Sequence, residues 1–139
     1  MKESAELKDL AIRYLKARAT GDLAFVAGHV SQTDGAVFIG AGRDEWWTGH
    51  DAIVEKVRAN MSRDIGKASL VVEEPVAYSE GTIGWTTDRF RLMLPDGREM
   101  PLVFSAVWRR EHGQWRIVLS HLSSVLPGQN VPSNAHSSE

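Results

Sequence analysis

The hydrophobic period changes once along this chain, and that change constrains the fold more than any other feature. Up to about residue 62, apolar residues recur every three or four positions, as on a helix; from Ala68 onward they recur every second position, as on a strand. Three turn sequences divide the second part, at Glu80-Gly81, Pro95-Asp96-Gly97 and His112-Gly113. Helices followed by a long antiparallel meander predict a single α+β domain.

Three helices are predicted before the period changes. The first spans Glu3 to Thr20, and the second is a short helix ending near Val30. The third spans His50 to Ser62. Between the second and third helices, a short buried strand at 36–39 leads into a glycine-containing loop at 40–49. This part of the chain predicts a helical layer that covers one face of a sheet.

Four strands are predicted after the period changes, at Ala68–Ser79, Thr82–Leu94, Glu99–Arg110 and Gln114–Val125. Pro75 within the first of these predicts an edge strand or a bulge. After Leu126 the composition becomes polar. The sequence therefore predicts a folded domain at 1–126 and a polar tail at 127–139.

The turns also predict which side chains face the helices. If Asp96-Gly97 and His112-Gly113 are two-residue turns, Phe104 lies opposite both Arg89 and His121. The inward face is then predicted to contain Ile83, Trp85, Thr87, Arg89, Leu102, Phe104, Ala106, Trp108, Trp115, Ile117, Leu119, His121 and Ser123. The outward face is predicted to contain Thr86, Asp88, Phe90, Val103, Ser105, Val107, Arg109, Arg116, Val118, Ser120 and Leu122.

Five apolar residues on the predicted outward face favour a homodimer formed through the convex side of the sheet. They are Phe90, Val103, Val107, Val118 and Leu122. An apolar patch with a charged border is typical of an interaction surface, and a symmetric dimer is the commonest use of one. The alternative is a set of scattered surface apolar residues, which many monomers have.

Composition and charge exclude several classes of function. The chain has no Cys, and its 16 Lys and Arg are balanced by 18 Asp and Glu. There is no basic stretch to follow a nucleic acid and no apolar run long enough to span a membrane. The five His residues lack metal-ligand spacing. We therefore expect a cytoplasmic protein with no metal, no cofactor and no nucleic-acid partner.

Two residues on the predicted inward face have side chains suited to catalysis. His121 could act as a general acid or base, and Arg89, beside Thr87, could bind a carboxylate or an enolate oxygen. The alternatives are a histidine that only orders its strand and an arginine turned outward by a bulge. The loop acids Asp34 and Asp44, with Glu45, are further carboxylates near strand ends. The predicted pocket lining consists of Tyr14, Phe38, Trp46, Trp47, Trp85, Thr87, Phe104, Trp108 and Ser123.

Two stretches resemble SnoaL-like domains of the nuclear-transport-factor-two-like superfamily, which includes ketosteroid isomerase. One is Trp46 to Ile53, which contains a Gly, two residues, then Ala-Ile. The other is Trp108 to Ile117, a closing hairpin that reads Trp-Arg-Arg-Glu-His-Gly-Gln-Trp-Arg-Ile, followed by His121 and by Ser123 or Ser124. The resemblance implies a cone-shaped α+β barrel, with three N-terminal helices packed on a strongly curved antiparallel sheet. It also implies an internal pocket and frequent dimers.

The predicted function depends on whether an acidic side chain lies on the predicted inward face. An isomerase or cyclase of this family is expected to have a pocket carboxylate, and no Asp or Glu falls on the inward face of the last three strands as predicted. The sequence therefore favours a non-catalytic binding or assembly domain whose apolar pocket holds a small apolar or aromatic ligand. The alternative is an acid–base enzyme, acting as an isomerase, dehydratase, cyclase or hydrolase.

Overall fold

The computed structural model describes residues 1–64 and 68–124, with no account of the side chains of 62–64. The predicted tail at 127–139 lies outside the described residues.

The helices are α1 (Ala5–Thr20), α2 (Leu23–Gly28) and α3 (His50–Asp64). The Ser4 hydroxyl oxygen accepts a hydrogen bond from the Leu7 amide and caps the start of α1. Gly21, at a φ of 84°, ends the helix in the left-handed conformation that glycine favours.

Eight strands are formed by the described residues. They are β1 (Lys2–Glu3), β2 (Val37–Ile39), β3 (Trp46–Thr48), β4 (Ser69–Val72), β5 (Val76–Glu80), β6 (Ile83–Met93), β7 (Glu99–Glu111) and β8 (Gln114–Ser124). The last three agree with the predicted strands to within one residue at either end. The predicted strand around Pro75 is instead two strands, β4 and β5, which pair with different parts of β6.

The strands form one curled sheet in the order β1-β5-β6-β7-β8-β2-β3, with β4 also paired to β6. The sheet is mixed, because β2 runs parallel to β8, whereas a fully antiparallel sheet was predicted. Part of the predicted loop at 40–49 is strand β3, in which Trp47 lies opposite Phe38. Three helices on a curled sheet that does not close agree with the predicted cone-shaped α+β fold.

The core fills the space between the helices and the concave face of the sheet. Its largest fully buried side chains are Trp108 from β7 and Tyr14 from α1. Gly84 lets α1 approach the sheet closely, because a Cβ there would lie 2.9 Å from the Tyr78 carbonyl oxygen and would also meet the Leu7 side chain. Helix α1 therefore packs directly on β6 at Gly84.

Candidate functional site

Strand β7 has the inward face that the sequence predicted. Leu102, Phe104, Ala106 and Trp108 are each 6% exposed or less, which confirms their predicted orientation. Phe104 stacks on Tyr14 of α1, with ring centroids 5.4 Å apart. The alternate residues of β7, including Val103, point to the convex side.

The predicted faces of β6 were wrong, because the turn before β7 has three residues and not two. The Leu94 amide donates to the Arg98 carbonyl, and Gly97 has a φ of 90°. Phe104 therefore lies opposite Asp88 and not opposite Arg89. A shift of one residue moves every side chain of a strand to the other face. Three predicted outward residues are buried, namely Thr86, Asp88 and Phe90. Four predicted inward residues lie on the convex side, namely Ile83, Trp85, Thr87 and Arg89.

The predicted face of the second half of β8 was also wrong, because a β-bulge interrupts its pairing with β7. Ile117 lies opposite Trp108 as predicted, but the next pair is Leu119 with Val107, so Val118 is the extra residue. Beyond the bulge, Ser120 and Leu122 are the residues that turn inward. Leu119, His121 and Ser123 are exposed. His121 lies opposite Ser105 on the convex side, away from the interior.

The shift in β6 places a carboxyl group inside the cone. Asp88 is 3% exposed, and both of its carboxyl oxygens are buried without a hydrogen-bond partner. They are the only such side-chain atoms in the part of the chain that the structure describes. Burial, which disfavours the charged form, raises the pKa of Asp88 to about 7. Asp88 is thus the inward carboxyl group that the sequence analysis failed to place.

A cavity of about 390 Å³ lies between the sheet and the C-terminal parts of α1 and α3. It is lined by Leu15, Arg18, Ala19, Asn60, Met61, Ala68, Leu70, Phe90, Leu92, Leu94, Met100, Leu102, Phe104 and Leu122. Two of these residues are neighbours of Asp88 on the inward face: Phe104 directly across the strand pair, and Phe90 two positions along β6. Asp88 is not itself a lining residue, but its two neighbours on the inward face form part of the wall of this largely apolar cavity.

Arg18 is the one charged side chain among the described residues that line this cavity. It is half-buried in the last turn of α1. Its Nη1 donates a hydrogen bond of 3.3 Å to the Tyr14 hydroxyl oxygen. The cation that the sequence predicted for the pocket was Arg89, but that side chain is exposed on the convex side. The structure brings Arg18 to the cavity instead.

Most of the predicted aromatic lining lies away from the cavity. Trp46 is 65% exposed on the edge strand β3, and Trp47 packs against the core. Phe38 is buried core. Trp108 is fully buried and is not among the lining residues, and its indole Nε1 donates a 3.0 Å hydrogen bond to the Thr86 hydroxyl oxygen. Of the predicted lining residues, Phe104 lines the cavity and Tyr14 contacts it indirectly, by stacking on Phe104.

The other acidic residues considered from the sequence are accounted for on the surface. Asp34 and Asp44 are exposed, and the Glu45 carboxylate accepts a hydrogen bond from the Gly42 amide within its own loop. No group of three His, Asp or Glu that could hold a metal ion occurs in residues 1–64 and 68–124. None of the described helices is long and apolar enough to cross a membrane.

A second, polar cleft lies at the β7–β8 turn, where Glu111 is paired with its neighbours. The Ser31 hydroxyl donates to Glu111 at 2.6 Å, and Arg109 donates to it at 2.7 and 3.0 Å. Burial on its own would raise the pKa of Glu111, but these donors lower it below its usual value. Glu111 and Asp88 therefore differ in their surroundings: the partly buried Glu111 has several donors, and the buried Asp88 has none among the described residues.

Comparison with known proteins agrees with this architecture. The model of the SnoaL-like domain matches residues 7–127. The chain belongs to the SnoaL-like family. No curated protein matches it. A nuclear transport factor 2-like protein of unknown function from Pseudomonas putida is similar in structure, with a TM-score of 0.77 at 17% identity, over 90% of this chain and 88% of that chain.

Two further solved structures show how differently proteins of this fold are described. A candidate ketosteroid isomerase from Parabacteroides distasonis has a TM-score of 0.70 at 17% identity, over 91% of this chain and 96% of that one. A candidate calcium/calmodulin-dependent protein kinase type II association domain from Thiobacillus denitrificans has a TM-score of 0.68 at 21% identity, over 85% and 91%. At these identities the similarity shows the fold alone, and the function of this SnoaL-like domain has to be argued from its own site.

Sequence reasoning missed Asp88 and Arg18 for different reasons. For Asp88 a signal existed: Pro95-Asp96-Gly97 suits a three-residue turn, in which a type I turn is followed by a left-handed glycine. That reading places Asp88 inward. For Arg18 there was no such signal, because a basic residue in the last turn of a helix is ordinary and favours the helix dipole. Only the packing of the helix on the sheet shows that this SnoaL-like domain directs Arg18 towards the cavity.

Proposed function

We propose that this SnoaL-like domain is an acid–base enzyme that acts on a small, largely apolar molecule, with Asp88 as the proton carrier. The observation that carries the proposal is the buried Asp88 carboxyl group, which has no hydrogen-bond partner among the described residues and whose neighbours Phe90 and Phe104 line the apolar cavity. A group with a pKa near 7 exists in both protonation states at neutral pH, so it can both accept and donate a proton. Perturbed groups of this kind cluster at functional sites.

The surroundings of Asp88 favour carbon-acid chemistry, such as isomerisation or dehydration. A carboxylate without hydrogen-bond donors is a stronger base than one in water, since nothing stabilises its charge. The cavity volume of about 390 Å³ is within the range of small-molecule sites. Because both carboxyl oxygens are covered, side chains at the inner end of the cavity, such as Phe90 and Phe104, have to move when a substrate atom reaches Asp88.

The proposal can be tested without knowing the natural substrate. In 5-nitrobenzisoxazole, a base removes the C3 proton, the N–O bond breaks, and a coloured cyanonitrophenolate is released. We expect the protein to accelerate this reaction, with a rate that rises through about pH 7 as Asp88 loses its proton. We expect Asp88→Asn to lower the rate about a hundredfold, the usual contribution of a positioned general base.

The exposed Asp34 provides a matched control for that experiment. Asp34→Asn makes the same chemical change on the surface and should leave the rate unchanged. If Asp88→Asn is as active as the unaltered protein, or if the rate does not change between about pH 5 and about pH 8, Asp88 is not the base. Circular dichroism of each variant shows whether it is folded.

The second candidate function is non-catalytic binding and assembly. A different surface of the molecule favours it. Trp85, Val103, Val107 and Leu119 lie on the convex side of the three central strands; we call them the outer strip. Val103 and Leu119 are 40% and 42% exposed. The outer strip replaces the dimer face predicted from the sequence, because Phe90 is buried in the core and Leu122 packs against it. We propose a homodimer through this strip, which either function could use.

We expect sedimentation at micromolar concentration to show a dimer that Val103→Glu converts to a monomer. A glutamate at the centre of a symmetric interface faces the same glutamate of the second copy. The repulsion between the two carboxylates adds to the cost of desolvating them. Val71→Glu is the matched control, since Val71 is 37% exposed on the edge strand β4 and lies outside the outer strip. A monomeric unaltered protein, or equal effects of both variants, would contradict the proposed interface.

A further inference from the structure

We infer that Arg18 binds the anionic group of the cavity's ligand, and that the ligand is a small monocarboxylate with an apolar body. This inference rests on the proposed function in that it concerns the same cavity. The charge, burial and contacts of Arg18 point to this class of ligand whether or not Asp88 is catalytic.

The guanidinium of Arg18 has no carboxylate partner within the described residues. Its hydrogen bond is to the neutral Tyr14 hydroxyl oxygen, at 3.3 Å. Elsewhere on the molecule arginines are paired with acids: Arg13 with Asp9 on the same helix, and Arg110 with Glu6. These pairs are largely exposed, whereas Arg18 is half-buried. Arg109 and Arg116 are also half-buried, but both contact Glu111, whereas Arg18 has no such acid partner among the described residues.

The cavity wall around Arg18 provides no counter-charge. The described lining residues include no Asp or Glu, and apart from Asn60 and Arg18 they are apolar. A cation beside apolar surface is costly unless an anion or hydrogen-bond acceptors compensate for the lost water. The planar fork of a guanidinium can donate two parallel hydrogen bonds to a carboxylate, which makes such a pair both strong and directional. An anionic ligand group therefore completes the wall.

The position of Arg18 also fixes how the ligand lies. Phe90 and Phe104 line the same cavity on the sheet side, next to Asp88. A carboxylate held at Arg18, on the helix side, leaves the apolar body of the ligand against these rings. Apart from Asn60, the remaining described wall is apolar, so a second carboxylate on the ligand would have no second cation to pair with among the described lining residues. The geometry therefore favours a monocarboxylate over a dicarboxylate.

The helix dipole offers a simpler reason for a cation at this place, and a matched variant tests it. Lys16 lies in the same part of α1 as Arg18, but it is exposed and does not line the cavity. Arg18→Gln and Lys16→Gln each remove one positive charge near the end of the helix and so change its dipole interaction similarly. If Arg18 acts only through the helix dipole, both variants should change ligand binding to the same extent. If Arg18 binds the ligand, the two variants should differ, and the difference should depend on the charge of the ligand.

The experiment compares 3-phenylpropanoate and decanoate with their primary amides, which have nearly the same shape and no charge. Binding is followed by the methyl resonances of methionine in the full chain. Met61 and Met100 line the cavity, whereas Met1 and Met93 are internal references outside its lining. We expect each acid to bind at least about tenfold more tightly than its amide, shifting Met61 and Met100. Arg18→Gln should remove that preference and leave amide binding intact, whereas Lys16→Gln should keep it.

Two further variants separate this inference from the proposed catalysis. Arg18→Lys retains the charge without the fork and should keep part of the preference for the acid. Asp88→Asn should keep all of it. If the preference persists while 5-nitrobenzisoxazole is not converted, the proposed catalysis fails and the inference on Arg18 stands. If the unaltered protein binds acid and amide equally, or if Arg18→Gln weakens both to the same extent, the inference on Arg18 is overturned.

Discussion

Asp88→Asn is expected to stabilise the protein above neutral pH and to have little effect in mild acid. The pKa of Asp88 is raised from 3.8 to about 7 in the folded chain. Between these two values, the folded protein keeps a proton that the unfolded chain has released. The stability that this proton contributes is therefore fully present below the unfolded pKa and is lost as the pH rises through the folded pKa. Asparagine stays neutral throughout and avoids that loss.

The size of this pH-dependent change in the free energy of unfolding follows from the rise in the pKa of Asp88 from 3.8 to about 7. That rise corresponds to about 4 kcal/mol between the acid and alkaline limits. We expect the difference in free energy of unfolding between Asp88→Asn and the unaltered protein to grow by about 3 kcal/mol from about pH 4.5 to about pH 8.5. Urea unfolding at each pH measures it. The effects of other titrating groups cancel, since both proteins contain them.

Asp34→Asn is the control for this experiment as well, because it removes an exposed carboxylate and should give a difference that is nearly independent of pH. A difference for Asp88→Asn that is constant over this pH range would mean that Asp88 is ionised normally inside the cone. That result would also remove the physical basis of its proposed role as a proton carrier.

Trp108→Ala is expected to be the most destabilising single truncation in the core. Trp108 is fully buried and is the largest such side chain in the described residues. Truncating a buried tryptophan to alanine typically costs about 3–5 kcal/mol, since apolar contacts are lost and a cavity remains. Here the Thr86 hydroxyl oxygen also loses the indole donor at 3.0 Å while it stays buried. We therefore expect a loss near the upper end of that range.

Trp46→Ala is the matched control, because the same truncation is made at a side chain that is 65% exposed; it should change stability by less than about 0.5 kcal/mol. Urea unfolding is measured at about pH 5, where Asp88 is mostly protonated in the folded protein. The cost of truncating Trp108 is then measured separately from the effect of ionising Asp88. Similar losses for both variants would contradict the assignment of Trp108 to the fully buried core.

The elements of the fold could be predicted from the sequence because they depend on local patterns. The stripe from Leu7 to Leu15 is enough to predict α1, and alternation between turn sequences is enough to predict β6, β7 and β8. The inward face of β7 was predicted correctly for the same reason, since its side chains alternate between large apolar residues and smaller or polar ones. Motifs in the third helix and the closing hairpin led to the SnoaL-like family.

The candidate site could not be predicted in the same way, because it depends on single-residue offsets between strands. One additional turn residue before β7 turns Asp88 inward and Arg89 outward, and one bulge residue, Val118, turns His121 outward. Both strands keep a plausible alternating pattern in either register, so local sequence does not decide between the two faces.

The α+β class, the order of the helices and last three strands, and the family thus follow from local patterns in the chain. Which carboxyl group is buried and which cation lines the cavity depend on how distant elements pack together. Propensity and periodicity do not report on this packing, because they act between near neighbours in the chain. The environment of Asp88 depends on contacts among β6, β7 and the helices that cover them, and burial by those elements raises its pKa to about 7.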